Sequence, residues 1–378
     1  MMPDPTFRKS RRVAVALSCV ALPLALSIFS SAACAVANDS NGLDPNGGRV
    51  VIPTTDSGNE APLVDADSPE TKLPDVPCAA SALCRVPTPL EVGSVASLAG
   101  RSKNDVWASA SRGVVMRWDG TQWTALGSQS EETLTSLFLT AEETWGVAGT
   151  LLVRRGVEAS SVRTFRLWPG LPGMSGVAVF SSGATYVSLL SPLRAPDPLA
   201  LLQITDFDNM GMGLVPSPVL EASDQPHAVA TRALFMVPDR ALWLVGERAS
   251  VVRYPVSPEI GRGVVMPVPS RADLFAAWGQ GDHLWAAGSG GTILHFDGAS
   301  WSIEDSGTDV TLNALFGFAP NDIWAAGEEG TVLHFDGQHW SQIEIPGYRG
   351  QFKAIWGAAS DDVWLGGERA MFHWGALP

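Results

Sequence analysis

Short apolar-rich runs separated by Gly, Asp, Asn and Pro recur along most of this chain. In the segment ending at Trp340, Leu312 to Phe318 reads as one strand, and Ala319-Pro320-Asn321-Asp322 turns into a second from Ile323 to Ala326. Gly327-Glu328-Glu329-Gly330 turns again, and Thr331 to Phe335 is a third strand. Asp336-Gly337 is predicted as a hairpin turn into a fourth strand around Trp340. In the turn that Asp-Gly favours, both central residues take positive φ.

The same pattern returns. Gly281-Asp282-His283-Leu284-Trp285, with Thr292 to Phe296 and Asp297-Gly298 before Trp301, is a second copy of the unit. Further copies run from Asn104 to Trp123 and from Asp361 to Trp374, and weaker ones centre on Trp145, Tyr186 and Trp243. The central aromatics are residues 107, 145, 186, 243, 285, 324 and 364, spaced 38 to 42 apart except for a step of 57 after Tyr186. A period near 40 with four short strands per unit marks a propeller, whose blades bury their faces only by stacking in a ring.

The predicted fold is therefore all-β, a seven-bladed β-propeller of four-stranded antiparallel blades. The last unit stops after its third strand, at Phe372-His373-Trp374. Arg85 to Val92 reads as the missing fourth strand, closing the ring by pairing with the C-terminal blade and removing exposed sheet edges.

The phrase from Asn321 to Trp340, Asn-Asp-Ile-Trp-Ala-Ala-Gly-x-x-Gly-Thr-Val-Leu-His-Phe-Asp-Gly-x-x-Trp, resembles the repeats of exported bacterial propellers of the myxobacterial type. These are loosely similar to Asp-box and photosystem-assembly-factor-like propellers. The resemblance covers 271 to 378 and 95 to 126 strongly, and it implies a fold and an envelope location rather than an activity. An Asp-box reads Ser-x-Asp-x-Gly-x-x-Trp, and this chain departs from it by having Asp297-Gly298 and Asp336-Gly337 adjacent.

Before the propeller, Arg8, Lys9, Arg11 and Arg12 precede an apolar run from Val13 to Phe29, as in an export signal. At 17 residues the run is short for a membrane-spanning helix. Two cleavage readings stay open. Ala35-Val36-Ala37 fits ordinary signal peptidase, releasing a secreted or periplasmic protein. Ser31-Ala32-Ala33-Cys34 resembles a lipobox, although Ser31 replaces the usual Leu, and would make Cys34 the acylated residue of an outer-membrane or cell-surface lipoprotein. Residues 38 to 77 hold six Pro, four Gly, eight acidic residues and no aromatic, so they read as a disordered acidic tether. The expected organisation is a signal over 1–37, a tether over 38–77 and the propeller over 78–378.

Composition sharpens this picture. The chain is 46% hydrophobic and 17% charged, with a net charge of −14, which repels nucleic-acid phosphates and anionic membranes. No nucleic-acid partner is expected, and membrane contact only through the lipid. Cys78 and Cys84 survive either cleavage and are read as a small-loop disulfide.

No catalytic, cofactor or metal site is expected. His295, His334 and His373 recur at one repeat position, hence in separate blades, and are read as a repeated structural hydrogen bond rather than ligands of one metal. Asn104-Asp105, Asn321-Asp322 and Asp361-Asp362 are read as turn residues bonding local backbone, and the Trp residues as core packing. Nothing around Tyr186, Tyr254 or Tyr348 matches a glycosidase with a Tyr nucleophile, and no nucleophile elbow or phosphate loop is present. The 57-residue step places extra residues in Leu189 to Asp197 and Thr205 to Asp224, either functional loops or insertion drift. The function expected is a non-enzymatic binding or scaffold module of the bacterial cell envelope, recognising a protein or glycan through one face. The competing reading is a hydrolase or lyase of polysaccharide.

Overall fold

The computed structural model describes residues 82–89, 93–126, 132–156, 162–166, 173–190, 201–206, 211–214, 230–238, 240–256, 260–261 and 263–377. The expected signal and tether, with Cys34 and Cys78, lie outside them. The described strands form seven four-stranded antiparallel sheets. Blade 1 comprises Val95–Ser102, Asp105–Ala110, Val114–Trp118 and Trp123–Leu126. Blades 2 to 6 follow with first strands at Ser136–Leu139, Met174–Val179, Thr231–Val237, Leu274–Gln280 and Leu312–Ala319. Blade 7 takes Phe352–Ala359, Asp362–Gly367 and Ala370–Trp374 from the C-terminal end of the chain. Each first strand packs against the first strands of both neighbours, blade 7 against blade 1 included.

The fourth strand of blade 7 is Leu83–Arg85, in the register Leu83↔Trp374, Cys84↔His373 and Arg85↔Phe372. It lies just before the Arg85 to Val92 segment expected from sequence, sharing only Arg85 with it. Pro87 and Pro89 explain the shift, because neither has an N–H to give to the ladder. The last bond of the pairing is Val86 N–H to Met371 O at 2.8 Å. Cys84 faces the core, and its Sγ lies 3.4 Å from His373 O.

Blade interfaces form the core. Trp145, Trp285, Trp324 and Trp364 are among the largest fully buried side chains. Glycines in the first strands let aromatics of the preceding blade lie flat against backbone. A Cβ on Gly100 would come 2.5 Å from the Trp356 ring, and one on Gly317 would come 2.9 Å from Trp278.

One turn reading and one reading of inserted sequence need correction. Asp336-Gly337 is not a two-residue turn: Phe335 pairs with Trp340, which leaves a four-residue loop. Asp336 Oδ1 accepts the N–H groups of Gln338 and His339, both at 2.8 Å, and only Gly337 takes positive φ, +95°. The side chain thus reinforces the backbone bond of the loop, Asp336 N–H to His339 O at 3.3 Å. In blade 3, Leu201–Asp206 and Gly211–Leu214 are the third and fourth strands. Part of the extra sequence after Thr205 therefore builds sheet, and the rest, with most of Leu189 to Asp197, lies outside the described residues. Among the described residues no helix is long and apolar enough to cross a membrane.

Candidate functional site

Antiparallel order puts the turns between first and second strands and those between third and fourth strands on one face of the ring. The central aromatic of each second strand stands near this face, and its cross-strand partner on the third strand is a cation or imidazole in six blades. The pairs are Trp107↔Arg117, Trp145↔Arg154, Trp243↔Arg253, Trp285↔His295, Trp324↔His334 and Trp364↔His373. Blade 3 pairs Tyr186 with Gln203 instead. The side chains lie over the indoles, with Arg253 5.6 Å from the Trp243 centroid and the His295 ring 4.1 Å from that of Trp285 at 6°.

In four blades an acid two residues before the Trp completes the unit. Asp105 Oδ1 accepts Arg117 Nε–H at 2.7 Å and Trp107 Nε1–H at 2.9 Å, while Oδ2 accepts Arg101 Nη1–H at 2.9 Å. Burial raises the Asp105 carboxyl, but these three donors outweigh it and hold it below its ordinary value. Arg101 also donates to Glu143 O of blade 2 at 2.7 Å, so the cluster bridges two blades. Glu143 accepts Arg154 Nε–H at 2.9 Å, Asp322 accepts His334 Nε2–H at 2.8 Å, and Asp362 accepts His373 Nε2–H at 3.0 Å. Ser360 of blade 7 donates across the interface to Asp322. Asp105, Asp322 and Asp362 thus bond side chains rather than the local backbone expected of them. They open the second strand, where the pleat points them at the third.

The three repeat histidines each hold a carboxylate in their own blade, and the structure brings no two of them together. Among the described residues no group of three or more His, Cys, Asp and Glu is arranged to hold a metal ion. Burial raises the Tyr254 and Tyr348 hydroxyls, Tyr348 to about 12 with Glu368 adding to the rise. Neither is presented as a nucleophile.

Blade 5 departs from the unit in a way the sequence reading missed. His283 occupies the acid position, and its Nδ1 lies 3.0 Å from His295 Nε2. The carboxylate comes instead from Glu304 on the fourth strand, 3.1 Å from His295 Nδ1 and 3.1 Å from Trp285 Nε1. Glu304 also accepts Trp340 Nε1–H of blade 6 at 2.7 Å. Burial raises this carboxyl, and the bonds from His295, Trp340 and Trp285 outweigh it and leave it below its ordinary value. A missing acid at residue 283 was the available signal.

Blade seams open on this face as clefts. One of about 510 Å³ lies between blades 7 and 1, bordered by Lys103, Asn104, Trp118, Thr121, Asp362 and Leu377. Another of about 310 Å³ lies between blades 5 and 6, bordered by Glu304, Phe335, His339 and Trp340. A third, narrow one of about 40 Å³ lies between blades 4 and 5.

No family model and no curated protein sequence matches the chain. Solved propellers match its structure. YCF48 bound to D1 peptide is 16% identical at a TM-score of 0.62, covering 80% of this chain and 99% of that one. A catalytically inactive virginiamycin B lyase from Staphylococcus aureus, with quinupristin, is 13% identical at 0.61, covering 77% and 97%. The WD40 β-propeller domain of Doa1 is 12% identical at 0.56, covering 78% and 95%. The chain shares the fold of the photosystem assembly factor and of these other propellers. At such identities the likeness extends to the fold alone, and the fold serves binding proteins and a lyase equally.

Proposed function

We propose that this protein is a non-enzymatic binding or scaffold propeller of the bacterial cell envelope. In this reading the N-terminal segment directs export, Cys34 carries a lipid anchor, and Cys78 pairs with Cys84. One observation carries the proposal. On the turn face Asp105, Glu143, Glu304, Asp322 and Asp362 and the imidazoles of His295, His334 and His373 are engaged in fasteners within and between blades, while the seams between blades 7 and 1 and between 5 and 6 open as clefts edged by Trp118, Leu377 and Trp340. Aromatic and aliphatic edges rimmed by charged turn residues, Lys103 and Asp119 at one seam and Asp305 at the other, suit a protein segment. The neighbour seen with a bound peptide supports that choice of ligand.

A photo-crosslinker at exposed Thr121 should capture an envelope partner that the same group at Arg112, on the opposite face, does not. Equal capture from both positions would remove the turn face from the proposal. Cys34→Ala should move the protein from the membrane to the soluble fraction, and unchanged fractionation with a mature N-terminus at Asn38 would defeat the anchor.

The enzyme reading has one observation in its favour, the chain from Glu304 through His295 to His283, which has the form of a proton relay. Turnover of a polysaccharide that His283→Ala abolishes, with the fold intact, would establish it over the scaffold.

A further inference from the structure

The repeat contains its own control for the narrow cleft between blades 4 and 5. In blade 1, the carboxylate of Asp105 receives two donors at once, Arg117 Nε–H and Trp107 Nε1–H. Blade 4 has the same two donors at the same repeat positions, Arg253 and Trp243, in the same cross-strand register. Its acid position is Ala241, and Ala241, Trp243 and Arg253 all line the cleft. Arg253 Nε is buried and has no hydrogen-bond partner among the described residues. A buried guanidinium N–H without an acceptor is costly, since burial removes its water and nothing replaces it. At the rim Asp282, the acid among the lining residues, is engaged by Arg240, and inside His283 faces His295.

We infer that this cleft is a carboxylate-binding slot, in which an acidic side chain of a partner protein replaces the aspartate that blade 4 lacks. The carboxylate would accept from Arg253 Nε–H and Trp243 Nε1–H, as Asp105 accepts from Arg117 and Trp107. A volume of about 40 Å³ holds about three water-sized groups. That is room for a carboxylate and little else. The narrowness favours a slender Asp or Glu side chain over a sugar acid, whose ring would have to enter between the turns at Gly281 and Gly298. The inference rests on the binding reading above for the source of the carboxylate, not for the slot.

The indole N–H of Trp243 reports occupancy by heteronuclear NMR of the full chain, assigned by its loss in Trp243→Phe. Acetate and N-acetylglutamate amide should shift it saturably in the millimolar range, and chloride at equal ionic strength should not. Arg253→Gln should weaken both carboxylates by roughly tenfold to hundredfold. Ala241→Asp supplies the carboxylate within the chain, so its indole should already resonate at the bound position and not respond to acetate. If that variant does not fold, Arg253→Gln decides alone. No shift with acetate, or an undiminished one in Arg253→Gln, would overturn the slot. Galacturonate binding about tenfold tighter than N-acetylglutamate amide would leave the slot standing and overturn the protein side chain as its occupant, even if the crosslinking at Thr121 had succeeded.

Discussion

Blades 6 and 3 are the same four-stranded sheet written in different residues. Blade 6 carries Asp322, Trp324 and His334, with the acid bonded to the imidazole across the strands. Blade 3 has Ala184, Tyr186 and Gln203 at those positions, and so lacks both acid and cation. Its first two strands, Met174–Val179 and Thr185–Leu189, are nevertheless buried at every residue. The sheet and its place in the ring therefore come from apolar first and second strands. The acid–cation pair is a fastener added to a structure that packing has already made.

The largest effect should come from what both blades share, the closed ring. Deleting 38–77 should leave the melting temperature nearly unchanged, whereas deleting 38–85 removes Leu83–Arg85 and exposes the third strand of blade 7. A fall of roughly 10 °C or outright aggregation is expected for the longer deletion. Equal stability of the two truncated proteins would show that blade 7 does not depend on that strand.

Removing the central aromatic should then cost both blades alike. Trp324→Ala and Tyr186→Ala should each lose about 3–5 kcal/mol in denaturant unfolding, because both rings are buried between blades. A loss below about 1 kcal/mol for Tyr186→Ala would mean that blade 3 is held by something other than this packing.

The fastener should matter less, and only where it exists. Asp322→Ala in blade 6 leaves the His334 imidazole without its acceptor and should cost about 1.5–3 kcal/mol. Gln203→Ala in blade 3 should cost under about 1 kcal/mol. If the two prove equal, the acid–imidazole pair has no separate contribution. A finer version contrasts two indoles. Trp107→Phe removes a hydrogen bond to Asp105 and should destabilise more than Trp324→Phe, by about 1 kcal/mol, since Trp324 Nε1 is buried without a partner among the described residues.

The smallest effect is expected in acid. Asp105 and Glu304 are held below their ordinary values of 3.8 and 4.5 in the folded protein. Each therefore contributes stability that is present above those values and is lost as pH falls through the depressed ones. Amide protection factors should fall at low pH in blades 1 and 5 before they do in blade 3, where no such pair occurs among the described residues. A uniform fall across the three would contradict the assignment.

Local legibility followed the same division. The strands of blade 6 were readable to within a residue or so, because Gly, Asn and Asp punctuate them and their apolar runs match the strand period. Blade 3 was readable only through its spacing. There the turn signals are diluted by extra residues, and Leu201–Asp206 and Gly211–Leu214 fall partly inside what looked like insertion. The closing strand was placed a few residues late, because a three-residue strand carries almost no periodicity and only Pro87 and Pro89 marked where it ends.

By itself the sequence determined the number of blades, the strand order within them and the burial of the aromatics. Each of these depends on residues close together in the chain, repeated often enough to be counted. Only the tertiary structure decided which side chains meet across a seam. Glu304 of blade 5 holds Trp340 of blade 6, and Arg101 of blade 1 reaches Glu143 O of blade 2. Arg253 lines a cleft in the place where its repeat partner would stand. Such contacts join residues up to about 40 positions apart whose spacing is set by ring geometry rather than by strand period, so no local pattern encodes them.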